Sequence, residues 1–97
     1  EGIELTPLMF AAGSNGADVA AMLIEAGADV DVWGFFGDDA TALMLAAYRN
    51  SADVAKLLIK AGANVNAAND NGLTALIVAQ EAGAEETAAL LRQAGAR

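Results

Sequence analysis

Apolar residues recur three and four positions apart along the chain, which is the spacing of short amphipathic helices. Between residues 41 and 66, two such groups follow one another and predict two helices joined by a short turn. Their members are Leu43, Ala46 and Ala47, then Val54, Leu57 and Leu58. Asn50 is placed to cap the second helix with its side chain, and Gly62 is placed to end it in a left-handed backbone. Helices this short are not stable alone, so the unit needs similar neighbours.

The same unit occurs three times with nearly constant spacing. Thr6, Thr41 and Thr74 precede the three first helices and lie 35 and 33 residues apart. The glycines that end the second helices, Gly27, Gly62 and Gly95, keep the same spacings. The two extra residues therefore fall in the connection between the first two units. We predict a single domain over residues 1–97, with repeats at about 1–32, 33–67 and 68–97.

The first repeat is expected to bury the residues that match this pattern. They are Leu8, Ala11 and Ala12 in its first helix, and Val19, Met22 and Leu23 in its second. Met9, Met22 and Met44 could instead form an adaptable binding surface, but their helical positions favour a core role. The third repeat is more polar, as expected of a terminal repeat that meets water. Its polar residues include Gln80, Glu81, Glu85, Glu86, Arg92 and Gln93.

These repeats resemble the ankyrin repeat family over nearly the whole chain. The residues that carry the resemblance are Thr6-Pro7-Leu8 with Ala11-Ala12, Thr41-Ala42-Leu43 with Ala46-Ala47, Thr74-Ala75-Leu76 with Ala79, and the run AGADVD at 26–31, which returns as AGANVN at 61–66. The chain departs from the family pattern where a histidine usually follows Thr-Pro-Leu. Met9, Met44 and Ile77 occupy that position, so apolar packing must replace the bridging role of the histidine.

The resemblance implies an all-α fold, an α-solenoid of stacked helix-turn-helix repeats joined by β-hairpin-like turns. It places the paired helices in an L-shaped row with the hairpins at right angles. It also implies a protein-binding module that contacts its partner through the hairpin tips and the concave face of the first helices.

The first connection differs from the second in length and chemistry. Residues 28–41 carry Trp33, Phe35 and Phe36, whereas residues 63–74 form a polar turn with Asn71 and Gly72 at its tip. We call residues 28–41 the aromatic connection. The resemblance places its rings on an exposed hairpin that anchors a partner, and the alternative is that they fold back over an edge of the stack. The mismatch also suggests an engineered or re-looped repeat protein.

The composition and net charge exclude several classes of function. The chain has no cysteine and no histidine, which excludes thiol chemistry and the commonest general base and metal ligand. The net charge of −8 repels nucleic acid and anionic membranes and favours a basic or apolar protein partner. No segment predicts a membrane span or an export signal, so we expect a cytoplasmic protein, although processing could have removed a signal. The simpler interpretation, which we favour, is that the charge only keeps an alanine-rich surface soluble.

No constellation in the sequence predicts catalysis. Asp38 and Asp39 point to opposite faces if they lie in a strand, so they converge poorly on a metal ion and are read as a turn. Glu85 and Glu86 are read as an acidic first helix turn. The chain has no phosphate-binding glycine loop and no nucleophile with a matching base. We therefore predict no enzyme activity, no cofactor and no metal.

The predicted function is partner binding along one surface. Its residues are Trp33, Phe35, Phe36, Asp38, Tyr48, Arg49, Asn69, Asp70, Asn71, Leu73 and Glu81. Tyr48 and Arg49 end the first helix of the second repeat, where they could bind a partner or form a solvated helix end. The alternative function is a self-associating scaffold, a homodimer through the poorly capped first repeat, with Leu5, Leu8 and Met9 near its open end.

Overall fold

Each of the three repeats folds as a pair of short helices. The computed structural model describes residues 4–35 and 38–97. The helices of these residues are α1 (Pro7–Gly13), α2 (Ala17–Glu25), α3 (Ala42–Tyr48), α4 (Ala52–Lys60), α5 (Ala75–Ala82) and α6 (Glu85–Gln93). Two short strands, β1 (Gly34–Phe35) and β2 (Asp39–Ala40), lie in the aromatic connection. This confirms the predicted helical solenoid with a hairpin-like turn between repeats.

The first helix of every repeat begins at a threonine cap. The hydroxyl oxygens of Thr6, Thr41 and Thr74 accept hydrogen bonds of 3.2, 3.3 and 3.3 Å from the backbone N–H groups three residues later. Each bond satisfies one of the donors that a helix start leaves unpaired. Pro7 occupies the first position of α1, where its missing N–H removes no helical bond. The predicted starts are confirmed.

The second helices end at the predicted glycines. Gly27, Gly62 and Gly95 have φ angles of +94°, +92° and +96°. The N–H of the residue after each glycine donates to the carbonyl five residues back, as in Ala63 to Leu58 at 3.0 Å. This is the Schellman arrangement, which satisfies carbonyls that the helix end would otherwise leave unpaired.

The prediction that Asn50 caps α4 is wrong. Ser51 occupies the cap position, and Asn50 has a left-handed backbone with φ of +52°. Asn15 does the same before α2, and Gly83 has φ of +71° before α6. The tight turn between the two helices of a repeat needs this conformation, which asparagine and glycine adopt more readily than other residues. The Asn50 side chain instead accepts a hydrogen bond from Thr87 in the next repeat, at 2.8 Å.

The helices pack as two rows, α1–α3–α5 and α2–α4–α6. The central helix α3 is buried from Ala42 to Ala47, because it is covered by a helix on each side. Leu43 and Leu58 are 2% and 0% exposed, so their predicted core positions are confirmed. Leu8, Ala11 and Ala12 of α1 are also buried, as predicted.

The prediction fails at the outer side of α2. Val19 is 53% exposed and Met22 is 68% exposed, whereas Leu23 is half-buried. These residues match the apolar pattern of α4, but the described chain places no helix against them. Met9 and Met44 are buried as predicted, so Met22 alone departs from the expected core role. In the third repeat, Gln80 and the other polar residues named above are exposed, as predicted.

Aspartate and asparagine side chains that follow the second helices accept hydrogen bonds from the next repeat. The Asp31 carboxylate accepts a bond of 2.8 Å from the backbone N–H of Asn64. The equivalent Asn66 side chain accepts a bond of 2.9 Å from the backbone N–H of Arg97. These bonds lie at the same position of each repeat, so they fix the spacing between neighbouring units. No helix of the described residues has the length and apolar character needed to cross a membrane.

Candidate partner-binding surface

The aromatic connection contains two paired strands, β1 and β2, and β1 is also bridged to Glu4 on its other side. Within it, Gly34 lies opposite Ala40 and Phe35 lies opposite Asp39. Glu4 adds an isolated bridge on the other side of Phe35, with N–H to carbonyl distances of 3.0 and 2.9 Å in the two directions. The N-terminal segment therefore covers the edge of the hairpin that would otherwise expose unpaired backbone groups.

Gly34 allows this hairpin to lie close to the first repeat. A Cβ atom at this position would lie 2.5 Å from the Met9 sulfur and 2.6 Å from the Glu4 carbonyl oxygen, which is closer than atoms can approach. The absence of a side chain is required here by contact with neighbouring atoms. The hairpin thus packs against the first repeat, while the Trp33 and Phe35 side chains remain 43% and 38% exposed.

The second connection is a turn organised by the side chain of Asn69. Its amide oxygen accepts bonds of 2.9 and 3.1 Å from the backbone N–H groups of Asn71 and Leu73. Its amide nitrogen donates to the Asp39 carbonyl of the preceding hairpin at 3.0 Å. Asn71 also donates to the Asp38 carboxylate at 2.7 Å. The two connections are therefore bonded side by side, and we call them, together with Glu4, the hairpin row.

A first depression of about 260 Å³ lies between the hairpin row and the first helices of the second and third repeats. Its floor and walls are largely apolar, because Met44, Leu45 and Val78 approach it from α3 and α5. Polar groups stand at the end nearest the hairpin row. The full lining is Asp38, Asp39, Ala40, Met44, Leu45, Tyr48, Asn69, Leu73 and Val78.

A second depression of about 250 Å³ lies beside the first and shares two of its residues, Leu45 and Tyr48. The remaining lining residues are Leu5, Met9, Phe10, Gly13, Ser14 and Arg49. Tyr48 lines both depressions and is 54% exposed. Together the depressions form one apolar groove across the first helices of all three repeats, and we call it the Tyr48 groove.

The family assignment agrees with this architecture. The family model for ankyrin repeats, in three copies, matches residues 8–97. The chain belongs to the ankyrin repeat family. No curated protein sequence matches the chain. Ankyrin repeats are in general protein–protein interaction modules and are typically non-enzymatic.

Six of the predicted contact residues of this ankyrin domain lie in or beside the Tyr48 groove. Asp38, Tyr48, Asn69 and Leu73 line the first depression, and Tyr48 and Arg49 line the second. Asn71 joins this group through its bond to Asp38. The other predicted residues, Trp33, Phe35, Asp70 and Glu81, are exposed but line neither depression. Phe36 lies outside the described residues.

The structure also changes one interpretation of this ankyrin surface and bears on a second. Asp38 and Asp39 are more than a solvated turn, because Asp38 binds Asn71 and also accepts the Asp39 backbone N–H at 2.9 Å. The self-association alternative named Leu5, Leu8 and Met9, but Leu8 and Met9 are 2% and 1% exposed and offer little free apolar surface, and Leu5 is half-buried. The Gly34 contact explains the burial of Met9, because the hairpin lies over its sulfur atom.

Sequence reasoning missed Phe10, which is 61% exposed and lines the second depression. The signal was available in the alignment of the repeats. Phe10 occupies the position of Leu45 and Val78, both of which line the groove. The constant spacing therefore assigns Phe10 to the helix face that carries Leu45 and Val78 in the other two repeats.

Proposed function

We propose that this ankyrin domain binds a partner polypeptide along the Tyr48 groove and the adjoining hairpin row. The observation that carries the proposal is the groove itself: two adjoining, largely apolar depressions that share one exposed tyrosine. Apolar surface that monomers leave exposed in a concave site tends to be an interaction surface. Tyrosine is also among the residues that contribute most to binding energy at interfaces.

The charge distribution supports a basic partner. Glu4, Asp38, Asp39 and Asp70 all lie in the hairpin row, and the row contains no lysine or arginine within the described residues. The whole chain carries a net charge of −8. A partner with apolar side chains for the groove and lysine or arginine for the row would be complementary on both counts.

The partly exposed rings of the aromatic connection extend this surface. The Phe35 backbone is paired with Asp39 on one side and with Glu4 on the other, and Trp33 lies two residues before it, so little backbone entropy remains to be lost at Phe35 when a partner binds. We propose a binding role without catalysis, since the sequence contains neither of the residues, histidine and cysteine, that most often carry general-base and nucleophilic chemistry.

The test begins with selection of peptides from a displayed random library against the intact chain. Selected peptides should be enriched in lysine and arginine beside apolar residues. Calorimetry would then compare their affinity for the native chain and for Tyr48→Ala and Trp33→Ala. We expect each substitution to weaken binding at least about tenfold, the effect of losing an interface aromatic of about 1.4 kcal/mol or more.

Met22→Ala is the matched control, because Met22 is a large exposed apolar residue that lines neither depression. It should leave peptide affinity unchanged. Circular dichroism should show that all three variants are folded at the temperature of the binding measurement, because each substituted side chain is at least 43% exposed. Peptides that bind Tyr48→Ala and Trp33→Ala as tightly as the native chain would show that the groove is not the binding site.

A further inference from the structure

The outer side of α2 exposes apolar residues at positions that the other repeats cover. Val54, 35 residues after Val19, is 0% exposed, whereas Val19 is 53% exposed. Leu57 and Leu90, the equivalents of Met22, are half-buried, whereas Met22 is 68% exposed. The difference is therefore one of coverage and not of residue type. We call Val19 and Met22 the α2 outer face.

A hydrogen bond between repeats shows which way this face points. Thr87 occupies the position equivalent to Val19 and Val54, and its hydroxyl donates to the Asn50 side chain in the preceding repeat at 2.8 Å. The position thus faces the preceding layer of the stack. On α2 the same position points to a side on which the described residues supply no layer.

The opposite end of the stack is chemically different. Gln80, Glu85 and Arg92 stand where the second repeat has Ala47, Ala52 and Ile59. The three polar residues line one open depression of about 410 Å³, so they share a surface. The third repeat therefore ends in a polar surface that suits contact with water. The α2 outer face is apolar, as are the surfaces that neighbouring repeats bury against each other.

We propose that the α2 outer face docks a further helix-turn-helix layer, carried by a partner protein, whose contacting side chains are two alanines and an isoleucine or their equivalents. The contact between the first and second repeats indicates these side chains, because Val54 is the buried equivalent of Val19. The first repeat, which covers Val54, carries two alanines and an isoleucine at the matching positions: Ala12, Ala17 and Ile24. The docked layer packs on α2 in the same way that the first repeat packs on α4.

Charge decides against a second copy of the native chain. Asp18 and Glu25 are exposed at the two ends of α2, so two such faces brought together would oppose like charges. The other end of a second copy offers Gln80, Glu85 and Arg92, which would bury polar groups against Val19 and Met22. The partner layer instead carries lysine or arginine at its border, opposite Asp18 and Glu25.

The intact chain can be converted into the probe. A donor chain carries Gln80→Ala, Glu85→Ala and Arg92→Ile, which restore the apolar residues of the second repeat, together with Val19→Lys and Met22→Lys, which block its own α2 outer face. Sedimentation would be measured for the donor, for the native chain and for their mixture. Donor and native chain should each be monomeric, and the mixture should contain a one-to-one complex at micromolar concentration.

The matched control is the native chain with only Val19→Lys and Met22→Lys, which should bind the donor at least about tenfold more weakly, because two ammonium groups would be buried. Circular dichroism would establish that every chain is folded. If the donor is unfolded, the chain with Gln80→Ala and Arg92→Ile alone takes its place and should assemble head to tail. The absence of any complex between folded chains would overturn the proposal. So would a complex that the control chain forms equally well, or self-association of the native chain through Val19 and Met22.

Discussion

At the scale of single residues, Gly62 is required because of its backbone conformation and not because neighbouring atoms leave no space for a side chain. Its φ of +92° lies in the region that side chains with a Cβ rarely adopt, yet a Cβ added there would meet no atom within 4 Å. The cost of a side chain at this position is therefore conformational alone. The glycines that end α2 and α6 have the same backbone and the same free space.

This leads to a paired prediction. Gly62→Ala should lower the free energy of unfolding by about 1 kcal/mol or more, because a Cβ disfavours the left-handed region. Gly13→Ala should raise it by roughly 0.5 kcal/mol, since Gly13 lies in α1 and alanine restricts the unfolded chain. A Cβ at Gly13 also meets no atom within 4 Å, so the two sites differ chiefly in backbone conformation. Urea denaturation of both variants is the measurement, and equal effects would contradict the argument.

At the scale of the element, Asn69 organises a whole connection. Its side chain makes three hydrogen bonds, two within its own turn and one to the preceding hairpin. Asparagine is suited to this role because its amide presents both an acceptor and a donor. The neighbouring Asp70 is exposed and makes no side-chain hydrogen bond within the described part of the chain.

Asn69→Ala should therefore destabilise the domain by roughly 2 kcal/mol, at about 0.5–1.5 kcal/mol for each hydrogen bond and with some replacement by water. Asp70→Ala, on the same turn, should change the free energy of unfolding by less than about 0.5 kcal/mol. Thermal and urea denaturation would measure both. If the two variants have the same stability, the bonds of Asn69 do not hold the hairpin row together.

The helices α2 and α4 provide a second comparison at this scale, because they carry the same residue at the same position. Val54→Ala should cost roughly 2 kcal/mol, since its side chain is fully buried and the substitution leaves a cavity. Val19→Ala should cost less than about 0.5 kcal/mol, because Val19 is 53% exposed. Urea denaturation of the two variants is the test, and a large loss of stability from Val19→Ala would mean that the α2 outer face is covered in solution.

At the scale of the whole molecule, the net charge of −8 is distributed unevenly. The hairpin row is acidic, whereas Arg49 lines the second depression of the Tyr48 groove, which lies in the first and second repeats. A field of one sign over a concave surface accelerates the encounter with oppositely charged partners. Its effect should depend strongly on ionic strength.

For a basic peptide selected as above, the association rate should fall as NaCl rises from about 0.05 M to about 0.5 M, because the screening length shortens from above 10 Å to below it. Asp39→Asn, in the lining of the first depression, should reduce this salt dependence. Asp53→Asn removes the same charge from the first turn of α4 and should reduce it less. Stopped-flow kinetics would measure all three chains. An association rate independent of salt would leave the acidic charge as a solubility feature.

The sequence by itself determined the helices, the starts of the first helices, the ends of the second helices and the repetition of the unit. Threonine caps and terminal glycines act within a few residues, so local chemistry was sufficient to predict them. The position of Tyr48 and Arg49 at the end of α3 followed from the same register. The constant spacing between repeats then implied which positions are equivalent.

Only the tertiary structure decided which equivalent positions are covered and which side chains meet. Val19 and Val54 have the same local pattern, and their different exposure depends on a neighbouring layer that no local signal describes. The pairing of Phe35 with Glu4 joins residues 31 positions apart, and the bond between Asp38 and Asn71 joins residues 33 apart. The Tyr48 groove likewise combines residues from all three repeats. Burial and long-range pairing are properties of the assembled stack, and for that reason the sequence predicted the repeats and several residues of the Tyr48 groove, but neither the shape of the groove nor the exposure of the α2 outer face.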